Sequence, residues 1–218
     1  MRVIPVMATK GGGVATDQEQ ILLGTLLGDG HLQMRTGRKN ASFSVKACDR
    51  DRDYVFWKYK NLRSMELFLH PPKKFANRPE FGRYPSKVYF AWRLQSRADP
   101  ILTQYHRLFY QNGKKVVTRE ILNRLNELGL AVWHMDDGSR SKRSRTVRLS
   151  IQSFGLEGFE IISKWFQEKY ALKSHPVTRK GSSKGTALRF SVEDSKRFLS
   201  LVYPHIVPCM SRKVGGAI

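Results

Sequence analysis

The chain has 218 residues, 40% of them hydrophobic, enough for a core in one large domain or two small fused ones. Lys and Arg outnumber Asp and Glu by 39 to 18, a net charge of +21 spread along the whole sequence, so a polyanionic partner is expected ahead of the plainer ribosomal, chromatin or membrane-surface readings. No apolar run approaches the roughly 18 residues that span a bilayer, Met1 to Lys10 lacks a signal arrangement, and Cys48 and Cys209 form no CxxC, which excludes zinc or disulfide scaffolds and points to an intracellular protein with reduced thiols.

The first element is an apolar helix, Leu22-Leu23-Gly24-Thr25-Leu26-Leu27, that stops at Gly28-Asp29-Gly30. Alternation in His31 to Arg35 and Ser42 to Lys46, around Thr36-Gly37-Arg38-Lys39-Asn40, predicts a hairpin. Asp49 to Phe68 reads as a helix with Tyr54, Phe56, Trp57, Leu62, Met65 and Phe68 on its apolar side and Lys58, Lys60 and Arg63 among its polar residues. The Pro-rich stretch Pro71 to Pro85 is irregular or an edge, because proline cannot donate to a ladder. Val88 to Gln95 alternates as a strand, with Arg93 and Gln95 on the face opposite Trp92 and Leu94. Ile101 to Tyr110 reads as a closing helix.

The order then repeats. A second apolar segment, Leu130-Ala131-Val132-Trp133-His134-Met135, ends at Asp136-Asp137-Gly138. Gly138 to Lys142 and Thr146 to Gln152 form a hairpin, Leu156 to Tyr170 a helix, Lys173 to Arg179 and Thr186 to Val192 a second hairpin, and Asp194 to Tyr203 a helix. Each copy ends alike: YHRLFYQNGKKV from Tyr105 and YPHIVPCMSRKV from Tyr203 place Lys115 and Lys213 at equal spacing from the tyrosine. The predicted class is α+β, with the order αββαββα occurring twice in tandem. Each copy would form a four-stranded antiparallel sheet with helices on one side and an open face on the other. Residues 1–17 are a tail, 18–112 the first repeat and 113–218 the second. Paired acids in a basic chain suggest metal-dependent phosphodiester chemistry.

With two acid-terminated helices in this order of elements, the chain resembles the LAGLIDADG homing endonucleases in their single-chain, two-motif form, most of all the omega-type intron endonucleases of yeast mitochondria. The resemblance runs from Gln18 to Val214. It implies two repeats related by a pseudo-twofold axis, a saddle of two sheets over the DNA major groove, and a monomer that cuts both strands of a long, near-asymmetric double-stranded target, leaving short 3′ overhangs. It also implies an intron-encoded protein of an organelle or of a bacterial or archaeal cytoplasm. The implied metal-binding catalytic acids are Asp29 and Asp137, with backbone carbonyls of Gly28 and Asp136 as further metal donors. Lys115 and Lys213 are the implied active-site lysines, with Lys114 and Arg212 one position away as alternatives. The metal is Mg²⁺, with Mn²⁺ as a substitute, since Mg²⁺ prefers oxygen ligands and shares phosphate oxygens with substrate. The first motif keeps glycines at Gly24 and Gly28 where the second has Val132 and Asp136, so an asymmetric helix interface is expected.

DNA recognition is assigned to the outward sheet faces, where Arg and Lys read guanine and Gln reads adenine. The candidates on the first repeat are Gln33, Arg35, Arg38, Lys39, Ser42, Ser44, Lys46, Arg93 and Gln95. On the second they are Arg140, Lys142, Arg143, Arg145, Arg148, Ser150, Gln152, Arg179, Lys180 and Arg189. His31 and His134 adjoin the motifs and are read as polar fillers or general bases. Trp57, Trp92, Trp133 and Trp165 are assigned to packing. The competing function is a binder that does not cleave, either an intron RNA maturase or a DNA-binding regulator.

Overall fold

The computed structural model describes residues 16–77, 88–178 and 186–215. Its first helix, α1 (Asp17–Leu27), begins where the Thr16 hydroxyl accepts from the Glu19 amide, with Asp17 and Glu19 favourably placed in the first turn. Strands β1 (His31–Gln33) and β2 (Ser42–Cys48) follow, then α2 (Arg52–Leu62), β3 (Lys73–Asn77), β4 (Tyr89–Ala98) and α3 (Pro100–Phe109). The second copy runs α5 (Glu127–Asp137), β7 (Gly138–Arg140), β8 (Val147–Ser150), α6 (Gly155–Tyr170), β9 (Ser174–Thr178), β10 (Thr186–Phe190) and α7 (Val192–Val202). Between the copies lie a two-strand hairpin, β5 (Tyr110–Gln111) with β6 (Lys114–Lys115), and the short α4 (Arg119–Asn123).

Both four-stranded sheets are antiparallel and share one topology, β1-β2-β4-β3 and β7-β8-β10-β9. The αββαββα order expected twice is therefore present twice. In each sheet the inward residues are apolar and buried: Phe43, Val45 and Leu94 in the first, Val147, Leu149 and Leu188 in the second. Trp133 and Trp165 are fully buried, and Phe166 meets Phe190 and Phe198 edge-on in the second core.

Helices α1 and α5 lie side by side at the centre. A Cβ on Gly24 would press on the Gly129 carbonyl and Val132, and one on Gly28 would stand 2.5 Å from the Asp136 Cβ. Only glycine admits this approach, and the expected interface of glycines against larger residues is present. Buried Gln20 joins the two helices, donating to the Arg124 carbonyl and accepting from the Asn126 amide, both at 2.8 Å.

Several element bounds differ from expectation. The helix anticipated over Asp49 to Phe68 is α2 flanked by 3-10 turns at Asp49–Asp51 and Arg63–Met65. Glu66, with φ at 56°, is left-handed and cannot extend a right-handed helix. Part of the Pro-rich stretch is β3, an edge strand, while residues 78–85 lie outside the described set. The strand expected to reach Gln152 ends at Ser150, and Gln152–Phe154 is a 3-10 turn. The β5–β6 hairpin and α4 were not anticipated, because two-residue strands leave no periodicity to read.

Candidate active site and nucleic-acid face

The two motifs end differently in detail. After α1 the amide of Gly28 bonds the Gly24 carbonyl at 3.1 Å and that of Gly30 bonds Thr25 at 2.7 Å, a tight turn that leaves Asp29 exposed. Helix α5 continues through Asp137, which is half-buried, and Gly138 caps it against the His134 carbonyl. Among the described residues neither Asp29 nor Asp137 has a hydrogen-bond or ion-pair partner.

Lys115 and Lys213 occupy matching positions. The Lys115 ammonium donates to the carbonyls of Gly28 (3.0 Å) and Gly30 (3.1 Å), and that of Lys213 to those of Asp136 (3.0 Å) and Gly138 (2.8 Å). Each lysine thus brackets the acid of its own motif. Lys114, by contrast, is exposed on β6. Arg212 turns away to pair with Asp51 of the first repeat at 2.6 Å.

Electrostatics tie these groups together. Burial, then Asp29 and Asp136, push Asp137 up to about 7, against the pull of Lys115 and Lys213. Burial lowers Lys115 to about 8 although Asp137, Asp136 and Asp29 oppose it. Burial and neighbouring Arg212 lower Lys213 as well.

Asp136 has a different environment. Its carboxylate is buried and accepts from the Lys58 ammonium at 2.7 and 2.8 Å, with both side chains 1% exposed. Tyr54 lies under the Lys58 ammonium, 4.5 Å from ring centre to nitrogen. Lys58, read from sequence as part of a polar side, is a correction: it is the buried counter-ion of the second motif. The carbonyls of Gly28 and Asp136, expected as metal donors, each hold a lysine. A carbonyl has a second lone pair, so the bond does not consume its acceptor capacity.

His134 is buried, its Nε2 3.1 Å from the Lys213 carbonyl oxygen and its ring against Phe198. Burial drives it down to about 4, so at neutral pH it is an uncharged donor holding the backbone of Lys213. His31 is exposed and bonds the Tyr110 hydroxyl at 3.1 Å, which also accepts from the Leu32 amide. A general-base reading of His134 is thus replaced by a positioning one.

The open sheet faces carry most of the predicted contact residues. On the first sheet Ser42, Ser44, Lys46, Arg93 and Gln95 alternate with the buried set, and Gln33 stands opposite Ser42. Arg35, Arg38 and Lys39 are exposed in the connection between β1 and β2. On the second sheet Arg148, Ser150 and Arg189 face outward, with Arg148 opposite Arg189, and Lys142, Arg143 and Arg145 are exposed in the β7–β8 turn.

Two predicted contacts fall elsewhere and two are not described. The Arg140 guanidinium bonds the Val214 carbonyl at 2.7 Å and also reaches that of Gly215, so it braces the C-terminal segment. Gln152 lies off the sheet in its 3-10 turn, and Arg179 and Lys180 lie outside the described residues. The reading missed Lys73 and His175, which stand opposite Arg93 and Arg189 on the edge strands. The Pro-rich stretch hides the strand of Lys73, whereas the strand of His175 was expected and only its register was not.

Among the described residues no three His, Cys, Asp or Glu side chains cluster closely enough to hold a metal, and no helix is long and apolar enough to cross a membrane. The acids nevertheless fit a divalent cation. Two carboxylates without partners, one of them held up by burial and by negative neighbours, are what a bound cation would relieve. Protein donors alone are few, so water and phosphate oxygens would complete the shell.

Comparison with known proteins gives the family and the fold. A model of the LAGLIDADG DNA endonuclease family matches residues 19–198. The chain is 26% identical over 223 residues to a protein of Mycolicibacterium flavescens named Protein RecA, covering 96% of this chain and 49% of that protein. It therefore spans about half the length of such relatives. A probable intron-encoded DNA endonuclease 3 of Mycosarcoma maydis is 33% identical over 112 residues, 49% of this chain and 80% of the relative. Among solved structures, the homing endonuclease I-WcaI bound to its DNA recognition sequence superposes with a TM-score of 0.82 at 22% identity, covering 96% of this chain and 90% of that one. At that identity the likeness is one of fold.

Proposed function

Since the chain belongs to the LAGLIDADG DNA endonuclease family, we propose that it is a site-specific endonuclease that hydrolyses both strands of a long, near-asymmetric DNA target and leaves short 3′ overhangs. The observation that carries this reading is the matched pair of sites, each an unpartnered acid bracketed by a lysine on the flanking carbonyls. A binder that does not cleave gains nothing from two unrelieved carboxylates at neighbouring helix ends.

In this reading Asp29 and Asp137, with the Gly28 and Asp136 carbonyls, hold Mg²⁺ or Mn²⁺, which when bound supplies Lewis-acid activation of water and charge relief at phosphate. Lys115 and Lys213 add fixed positive charge beside the scissile phosphates, and their backbone anchoring lets them act without reorganisation. The open faces of the two sheets, one in each of repeats 18–112 and 113–218, track a half-site each, so one chain serves as a monomer.

The test is a plasmid library incubated with the protein and Mg²⁺ or with EDTA. Unique linear products that require the metal support the reading. Tight binding of RNA or DNA with no cutting under either condition overturns it in favour of a maturase or regulator.

A further inference from the structure

The two sheets share a topology, but their basic residues are out of step. His31 lies two residues after Asp29 and pairs with Ser44, and Ser139 lies two residues after Asp137 and pairs with Arg148. These two pairs define the same level in each repeat. On the first sheet the next row toward the acids is Lys46, Arg93 and Lys73, directly opposite one another across three strands. Lys46 shares a small cavity with Asp29, which confirms that the row lies on the acid side. The corresponding row of the second sheet is Ser150, Ala187 and Val177. That sheet instead places Arg148, Arg189 and His175 one row farther out.

Like charges directly opposite on a sheet repel. No described carboxylate neutralises Lys46, Arg93 or Lys73. Phe75 holds the arginine in place: its ring centre lies 4.7 Å from the Arg93 guanidinium carbon and 5.8 Å from the Lys46 ammonium. The Arg93 Nε is buried without a partner. A stacked guanidinium presents its remaining donors as a fixed fork, the geometry that matches the O6 and N7 acceptors of guanine.

Resting on the endonuclease reading, we propose that the target is read unequally by the two repeats: Arg93, steadied by Phe75 and flanked by Lys46 and Lys73, reads guanine close to the cut in the first half-site. Close to the cut in the second half-site, Ser150, the buried Ala187 and Val177 carry no charge, and guanine is read farther out by Arg148 and Arg189. One row is two residues, about 6.8 Å along a strand, which corresponds to about two base-pair steps of 3.4 Å. The guanine positions of the two half-sites are therefore offset by about two base pairs from mirror symmetry.

The test is selection of a randomised duplex library by the full chain in EDTA, followed by sequencing of the bound DNA. The expected profile has a required guanine near the centre of one half-site, tolerance at the mirror position, and a second guanine about two base pairs farther out. Arg93→Ala should relax the inner preference by about 5- to 150-fold at that one position. Arg93→Lys keeps the charge but loses the fork, and should relax it too while the melting temperature holds, which separates readout from folding. Ser150→Lys should create a guanine preference at the tolerant mirror position. Guanines placed symmetrically, or an Arg93→Ala variant that weakens every sequence equally as a phosphate clamp would, overturn the proposal. Absence of any selected duplex sequence overturns the endonuclease reading itself, an outcome distinct from a symmetric site.

Discussion

The Lys58 ammonium and the Asp136 carboxylate form a buried ion pair between the first repeat and the second motif, with two contacts at 2.7 and 2.8 Å. Asp136 stands beside Gly28, so the side chain that fills the space left by a glycine of one helix brings a charge that the other repeat must neutralise. The same stretch of the first repeat supplies Asp51, which pairs with Arg212 beside Lys213. The second motif is thus braced through two ion pairs from the first repeat.

Removing one partner of that pair leaves a buried charge. Lys58→Met should destabilise the protein by about 3–5 kcal/mol, whereas Lys58→Met with Asp136→Asn should recover most of the loss because no uncompensated charge remains. Urea unfolding of the four members of the cycle measures this. Additive losses in the double variant would show that the two groups are not coupled.

The lysines supply a second prediction. Because Lys115 bonds only the first motif and Lys213 only the second, Lys115→Met should slow cleavage of one strand about 100-fold, and Lys213→Met the other, by the scale of a lost transition-state donor. A duplex labelled separately on each strand, followed over time, distinguishes nicked from linear product. Equal slowing of both strands by either variant would mean that the lysines do not act site by site.

A third concerns the basic faces. If six to ten phosphates are neutralised, affinity should fall by about 10³ to 10⁵ between 50 and 200 mM salt. Fluorescence anisotropy with the selected target checks the slope. A nearly flat dependence would argue against a long track of DNA across both sheets.

Much of this arrangement was legible in the chain itself because repetition constrains it. The order of elements could be read twice, and two acid-glycine helix ends and two equally spaced lysines marked the motifs. What could not be read was whatever depends on contact between repeats. Lys58 looks like any solvent-facing lysine of an amphipathic helix, and only the approach of α5 buries it. Arg140 alternates correctly for a DNA-facing residue, yet the Val214 carbonyl, far along the chain, captures it. Lys73 lies where prolines obscure the period, and His175 on an expected strand whose pairing the sequence does not fix, so their places opposite Arg93 and Arg189 follow from register alone. The choice between Lys213 and Arg212 turned on Asp51, a residue of the other repeat.

The paired acids give the last prediction, for the metal-free protein. Asp137 rises from 3.8 to about 7, chiefly by burial and then by Asp29 and Asp136. Its contribution to stability is therefore present below about pH 4 and lost as pH rises through 7, because the unfolded chain ionises first. His134 acts in the opposite sense, since burial lowers it from 6.5 to about 4, and stability present above pH 6.5 is lost as pH falls toward 4. In the wild type the two slopes oppose each other between these limits. Asp137→Asn removes one of them, so the variant should exceed the wild type in stability at pH 7.5, by on the order of 1–3 kcal/mol, with the advantage shrinking toward pH 4. The same substitution, like Asp29→Asn, should abolish double-strand cleavage while leaving DNA binding nearly intact. Urea midpoints at pH 4.5, 6 and 7.5 in EDTA decide the matter: a difference between variant and wild type that does not change with pH would show that Asp137 is not held near neutrality by burial and its acidic neighbours.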